Sequence, residues 1–278
     1  SSVIKKWVEK GVFVVEKRAV DRIGSYEGEI KELPVLSPHQ TTAYNFLRKS
    51  LVKRKPVLLH GVTGAGKTEL YVHLINEALD AGQQALFLVP EIALTTQLIV
   101  RLQKFFGDQV KVYHSRFNSS ERTETWLKVL DDKKGSLVVG ARSAIFLPFN
   151  NLGLIIVDEE HEASYKQQDP APRYNARDVA LWMAHKWNVP CVLGSATPSV
   201  ETVWSTEEGR MTKVDLTQRY SGVMMPEIIV ADLKKEQKQR SMRGGFSKLL
   251  RDNMEEAIKN GKQVILFQNR RGYSPSWQ

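Results

Sequence analysis

Gly61-Val-Thr-Gly-Ala-Gly-Lys67-Thr68 is the stretch of this 278-residue chain that decides its fold. The octet matches G-x-x-x-x-G-K-[ST], with a short apolar run (57–59) before it and an amphipathic stretch (67–81) after it. In a strand–loop–helix context such glycines let backbone N–H groups converge on phosphate oxygens, and the helix N-terminus adds a favourable dipole. On this reading Gly61, Thr63, Gly64, Ala65 and Gly66 cradle a nucleotide's phosphates. Lys67 neutralises the β- and γ-phosphates, and Thr68 holds Mg2+.

Outward from the octet, short apolar runs alternate with helical periodicity. Strands are expected at 85–89, 110–113, 137–139, 154–157 and 192–194, and helices at 92–106, 119–131 and 176–187. Continuous apolar strands separated by helices mark a parallel sheet covered on both faces, an α/β fold. Residues 1–33 break the rhythm: 12–15 reads as a strand, and the segment closes at Leu33-Pro34. Composition changes again near 218–226. Beyond it a strand at 227–231, a polar stretch, a helix at 247–260 and a strand at 264–267 read as a second α/β unit beginning. The expected division is therefore 1–33, 34–217 and 218–278, in an excised piece of a longer protein.

Leu154-Ile-Ile-Val-Asp158-Glu159 supplies the other half of a nucleotide site. An apolar strand delivers Asp158 at its C-terminal end, where open α/β sheets bind ligands. Asp158 then orients the metal's water shell, and Glu159 polarises the attacking water. Loop and acidic pair together indicate Mg2+-dependent hydrolysis of a nucleoside triphosphate.

Composition narrows the class. With 42% hydrophobic and 26% charged residues, wholesale disorder is excluded. No run approaches the roughly 20 apolar residues that span a bilayer, and Lys5, Lys6, Glu9 and Lys10 occupy the place of a signal-peptide core. Cys191 is the single cysteine, which excludes an internal disulfide and a multi-thiolate metal site. A cytoplasmic chain with no membrane partner is the expectation. The net charge of +9 is uneven: residues 1–60 carry 12 Lys and Arg against 6 Asp and Glu, residues 232–278 carry 11 against 5, and the middle is acidic. Basic ends around an acidic block fit surfaces that meet a polyanion, or simply a solvated exterior.

The box Asp158-Glu159-Glu160-His161 and the run Gly194-Ser195-Ala196-Thr197 resemble motifs II and III of superfamily 2 helicases. Val89-Pro-Glu-Ile-Ala-Leu-Thr-Thr-Gln97 resembles motif Ia and Val139-Gly-Ala-Arg142-Ser143-Ala-Ile-Phe-Leu-Pro-Phe149 motif Ib. Val264-Ile-Leu-Phe-Gln-Asn269-Arg270-Arg271-Gly272-Tyr273 resembles motif IV. Most specific are Ser164-Tyr165-Lys166-Gln167-Gln168 and Arg173-Tyr174-Asn175-Ala176-Arg177-Asp178, directly after the box. From about Leu36 to Tyr273 this set resembles the bacterial primosomal protein N′ (PriA) family, DNA helicases that restart stalled replication forks.

The resemblance implies a RecA-like first helicase lobe and the beginning of a second. It implies ATP with Mg2+ as cofactors, 3′-to-5′ unwinding, and forked or single-stranded DNA as partner. Primosome proteins and single-strand-binding protein would be further partners, and 1–33 the tail of an upstream winged-helix module. Lys67, Asp158, Glu159 and His161 take the catalytic positions, with Ser195, Thr197 and His161 coupling nucleotide to DNA. Gln40, on an early helix, stands where a Q-type motif meets the adenine edge, or is a surface residue. Tyr165, Arg173, Tyr174 and Arg177 form an aromatic, basic loop suited to stacking on bases and meeting phosphates, with core packing the other reading of the two tyrosines. Arg142 and Thr95 contact the phosphate backbone or cap helices. Trp182, Met183, Trp187 and Cys191 read as core.

In the resembled family the second lobe continues into a zinc-binding insertion and motifs V and VI. Zinc is thus expected of the full-length family, with no ligands in this chain. Motif VI arginines stabilise the γ-phosphate transition state, and losing such a group costs on the order of 10³–10⁵ in rate. The chain is therefore expected to bind ATP and DNA but hydrolyse ATP poorly alone. Two other readings stay open: another superfamily 2 translocase, and a non-hydrolysing fork-binding or partner-docking module.

Overall fold

A computed structural model describes residues 7, 10, 12, 26, 28–53, 55–114, 117–218 and 227–267. The chain divides into two compact units, Ser1–Val223 and Met224–Gln278.

Within the first unit, helix α1 spans Pro38–Val52. Ser37 and Gln40 cap it reciprocally, and Pro38 fits the first turn, where an N–H would have no helical partner. Seven strands follow: β1 (Val57–Gly61), β2 (Gln84–Leu88), β3 (Val110–Tyr113), β4 (Leu137–Gly140), β5 (Leu152–Asp158), β6 (Cys191–Ser195) and β7 (Thr212–Leu216). They pair in parallel in the order β3-β4-β2-β5-β6-β1-β7. The connecting helices are α2 (Lys67–Asp80), α3 (Thr96–Phe106), α4 (Ser119–Leu130), α5 (Ala176–Trp187) and α6 (Val200–Glu207).

The apolar runs form strands because alternate side chains reach opposite faces and both faces are covered. Val57, Leu59, Ala85, Phe87, Leu154, Ile156 and Val192 join the layer built with α1, α2 and α3. Their neighbours Leu58, Leu86, Leu88, Ile155, Val157, Cys191 and Leu193 join the layer containing Val129 of α4 and the inner stripe of α5. Each fully buried Leu, Ile or Val contributes about 1.5–3 kcal/mol of transfer free energy, so the central strands are firmly held. The central strands β5 and β6 pair Asp158 with Gly194 at their C-terminal ends.

The RecA-like α/β class expected above is the one found, with differences in detail. Helix α3 begins at Thr96 rather than at residue 92, because Pro90 closes a turn with Ala93 and Leu94 and Thr95 caps the helix. The inner stripe of α5 is Ala176, Ala180, Met183 and Ala184, which brings the helix close to the sheet. Little room is left for an indole on that face, and Trp182 and Trp187 are exposed, against the expectation of core packing.

The second unit has α7 (Leu233–Lys238) and α8 (Lys248–Lys259), joined through Glu236, which accepts from the Lys248 backbone and the Ser241 hydroxyl. The strands expected at 227–231 and 264–267 are not formed. A strand needs a ladder partner for its backbone groups. Neither stretch has one among the described residues, and Ile228, Val230, Ile265 and Phe267 are exposed. Of the strand expected at 12–15 only Val12 is described, and Asn269–Tyr273 of the motif IV stretch lies outside the described residues.

Candidate active site

The phosphate loop joins β1 to α2 in a conformation that side chains would spoil. Gly64 and Gly66 sit at φ +78° and +85°, the left-handed region. A Cβ on Gly66 would lie 2.2 Å from Gln40 Nε2. The loop is thereby folded against α1, whose Gln40 Nε2 donates to the Ala65 carbonyl at 3.4 Å. This corrects the assignment of Gln40 to an adenine edge. The residue is 2% exposed, its Oε1 caps α1 and its Nε2 holds the phosphate loop, so its amide braces the loop instead of waiting for a base.

Lys67, the first residue of α2, donates to the Gly61 carbonyl at 3.1 Å and pairs with Glu159 at 3.5 Å. Phosphate loop and acidic box therefore meet, as the sequence requires. Thr68 follows Lys67 on the same turn, partly buried. Burial raises Asp158 to about 6, the neighbouring Glu159 charge adds to the rise, and a Tyr71 hydrogen bond and Lys67 oppose it. The adjacent carboxylates of Asp158 and Glu159 are hard-oxygen donors of the kind that suits Mg2+. Among the described residues there is no group of three or more His, Cys, Asp and Glu side chains placed to hold a metal.

Glu159 has φ +47°, a strained setting for a non-glycine residue of the kind that clusters at functional sites. Its carboxylate lies 3.8 Å from His161 Nδ1, and the same nitrogen is 2.8 Å from Ser195 Oγ. Ser195, fully buried at the end of β6, accepts from the Thr197 backbone N–H at 3.0 Å. Thr197 Oγ1 closes the set 3.4 Å from His161 Nε2. The structure thus connects Lys67, Glu159, His161, Ser195 and Thr197 through successive contacts.

Three residues of this site carry roles that motif spacing does not announce. Tyr71, one turn beyond Lys67, is fully buried and donates to Asp158 Oδ1 at 2.9 Å. Burial and the adjacent carboxylates push its own ionisation well above the usual phenol range, so it stays a donor. Gly194 is obligatory: a Cβ there would stand 1.7 Å from the Tyr71 hydroxyl. Glu160, between two residues of the network, turns away from it. Its buried carboxylate accepts from the Ser199 N–H at 2.7 Å, the Thr202 hydroxyl at 2.9 Å and Arg177 Nη1 at 3.1 Å.

The loop after the box divides its residues between core and surface. Tyr165 is 1% exposed and donates to the Asp158 carbonyl at 2.6 Å, which corrects its assignment to base stacking: its ring is core and its hydroxyl supports the acidic box. Arg177 is corrected likewise, since Glu160, Asp178 at 2.9 Å and Ser199 at 2.9 Å occupy its guanidinium. Thr95 caps α3, accepting from Leu98 N at 3.3 Å. Arg142 donates to the Lys166 carbonyl at 2.9 Å and reaches the Tyr174 hydroxyl, bracing the loop's base. A short bridge between Lys166 and Asn175 closes a hairpin that leaves Arg173 exposed and Tyr174 half-buried edge-on to Phe146.

Known proteins are similar to this chain in sequence. The "Replication restart protein PriA" of Bacillus subtilis (strain 168) is 42% identical over 279 residues, covering 99% of this chain and 34% of that protein. The protein of the same name from Rickettsia felis is 44% identical, covering 87% and 36%. That of Synechocystis sp. is 40% identical, covering 99% and 33%. The chain spans about a third of the length of these curated relatives. Among solved structures, RecG bound to a three-way DNA junction superposes with a TM-score of 0.47 at 21% identity, over 78% of this chain and 25% of that one. A family model, DEAD/DEAH box helicase, matches residues 37–205. That span runs from the cap of α1 into α6 and takes in the whole network from Lys67 to Thr202, and on it the chain belongs to the DEAD/DEAH box helicase family.

Proposed function

We propose that this chain is the ATP-binding lobe, with the start of a second lobe, of a cytoplasmic replication-restart DNA helicase. Its track is forked or single-stranded DNA, followed in the 3′-to-5′ direction, and its partners are primosome proteins and single-strand-binding protein. Residues 1–33 belong to an upstream winged-helix module, 34–217 to the first lobe and 218–278 to the second. Similarity to the PriA proteins supports the DNA substrate and the restart role. The observation that carries the nucleotide reading is the Lys67–Glu159 pair set beside the buried Asp158.

The loop N–H groups and Lys67 bind the triphosphate; Thr68 and Asp158 would hold Mg2+, which would supply charge neutralisation at the transferring phosphoryl group. Lys67 then exchanges Glu159 for phosphate. The released Glu159 carboxylate takes a proton from a water that attacks the γ-phosphorus, breaking the bond to the β-phosphate oxygen and leaving ADP and phosphate. Because Glu159 also adjoins His161, its movement is felt at Ser195 on β6 and at Thr197 just beyond it. That is the route by which hydrolysis reaches a nucleic-acid track contacted by the 166–175 hairpin with Arg173 and Tyr174, and by Arg142 and Thr95.

Single-turnover hydrolysis with the chain in excess over ATP, with and without forked DNA, tests the reading. DNA is expected to accelerate turnover. Glu159→Gln, which keeps shape and removes the proton acceptor, is expected to slow it by about 10²–10⁴ while nucleotide still binds. Equal rates for wild type and variant would refute the assignment of Glu159.

A further inference from the structure

The Tyr71 hydroxyl is not explained by packing. Its ring sits on the inner face of α2, edge-on to Phe87 of β2 with centroids 5.5 Å apart, where a phenylalanine would fill the same space. A hydroxyl buried in an apolar layer costs free energy unless it is bonded, and this one has a specific partner, Asp158 Oδ1 at 2.9 Å. The approach is enforced from the other side. The bare backbone of Gly194 lies over the phenol so closely that a Cβ would stand 1.7 Å from Oη and 2.9 Å from Cζ. Tyr71 also shares α2 with Lys67 and Thr68, so the helix that begins at the phosphate loop fixes the carboxylate opposite it.

We propose that Tyr71 is a positioning residue for the magnesium site: its hydroxyl occupies Oδ1 of Asp158 and so presents Oδ2, in a fixed orientation, to the metal's water shell. This rests on the reading of Thr68 and Asp158 as the Mg2+ donors. Partners that orient a metal's ligands are commonly worth 10–100-fold in metal affinity. Gly194 is the second half of the device, because only a glycine leaves the hydroxyl its place.

Equilibrium binding of a fluorescent ATP analogue to the whole chain, titrated with Mg2+ and repeated in EDTA, tests this. Wild type, Tyr71→Phe and Asp158→Asn are compared, with thermal unfolding alongside. Tyr71→Phe keeps the ring. It is expected to move the Mg2+ midpoint upward by about 10–100-fold, with nucleotide affinity in EDTA unchanged and the fold intact. Asp158→Asn is expected to abolish the response to Mg2+. A Tyr71→Phe midpoint equal to wild type overturns the positioning role, as does a loss of affinity equal in Mg2+ and EDTA, provided Asp158→Asn still abolishes the response. If wild-type binding ignores Mg2+, or Asp158→Asn titrates like wild type, the magnesium reading itself falls and takes the proposal with it.

Discussion

Lys67→Ala is expected to weaken binding of Mg2+–ATP by about 30-fold to several thousandfold while leaving the fold standing. Truncating one partner of a desolvated, hydrogen-bonded charge pair costs about 2–5 kcal/mol, and each 1.4 kcal/mol is tenfold in affinity. Lys67 has both properties: its ammonium is nearly buried at the mouth of the loop, and its partners are the Gly61 carbonyl and Glu159, groups belonging to the site rather than to the core. Stability therefore changes little, whereas a bound triphosphate loses its main counter-charge. Equilibrium binding of a fluorescent nucleotide, read beside a thermal melt, separates the two effects. Affinity within a few-fold of wild type, in a variant that melts normally, would remove the central contact from the nucleotide reading. The same variant bears on the DNA: if forked DNA still binds and that affinity ignores nucleotide in both proteins, the chain is a docking module and not a motor lobe.

The sequence carried the sheet because its strands are buried on both faces and read as unbroken apolar runs. The elements it hid are those whose burial is one-sided or short. β7, Thr-Lys-Val-Asp-Leu, lies at the sheet edge with Lys213 and Asp215 outward, and such alternation carries less apolar signal than a central strand. α6 has only eight residues, and its cap is tied to Glu160 from far along the chain. Propensity near 92–95 suits a helix, and the turn at Pro90 overrides it.

For the proposed site, the residues that the structure brings together from Lys67 through Glu159 and His161 to Ser195 and Thr197 were legible, since the chemistry proposed for them demands fixed residue types at fixed spacing. The residues that hold those groups were not. Tyr71 and Asp158 are 87 positions apart, and nothing in Lys-Thr-Glu-Leu-Tyr says which side of α2 faces β5. Tyr165 and Arg177 were misplaced for the same reason: an aromatic, basic loop looks like a nucleic-acid surface in sequence, and only the fold shows which members turn inward. Arg173, Tyr174 and Arg142 remain on or near the outer side of that loop.

Glu160→Ala carries the other large expected effect, on stability. The Glu160 side chain is completely buried, and four donor groups converge on it: the Ser199 N–H and hydroxyl, the Thr202 hydroxyl and the Arg177 guanidinium. Removing one partner of a buried pair strands the other, at about 3–5 kcal/mol. Arg177 would keep Asp178 and the Ser199 hydroxyl would keep Thr202 Oγ1, but the Thr202 hydroxyl and the N–H of Ser199, the cap of α6, would lose their acceptor. At about 2–4 °C per kcal/mol for a domain of this size, the melting temperature should fall by roughly 10 °C. Glu160→Gln retains volume and one acceptor oxygen but turns a donor toward Arg177, so its loss should be intermediate. Arg177→Ala combined with Glu160→Ala should cost less than the two singly, since the double change leaves no unpaired buried charge. A melt of Glu160→Ala that overlays wild type would mean that water satisfies these donors, and that the box and α6 are held together by packing alone. The expected loss places Glu160 beneath the Lys67-to-Thr197 contact network as its footing: it joins the loop of Glu159 and His161 to the helix that follows Ser195 and Thr197, so both ends of the proposed coupling path rest on one buried carboxylate.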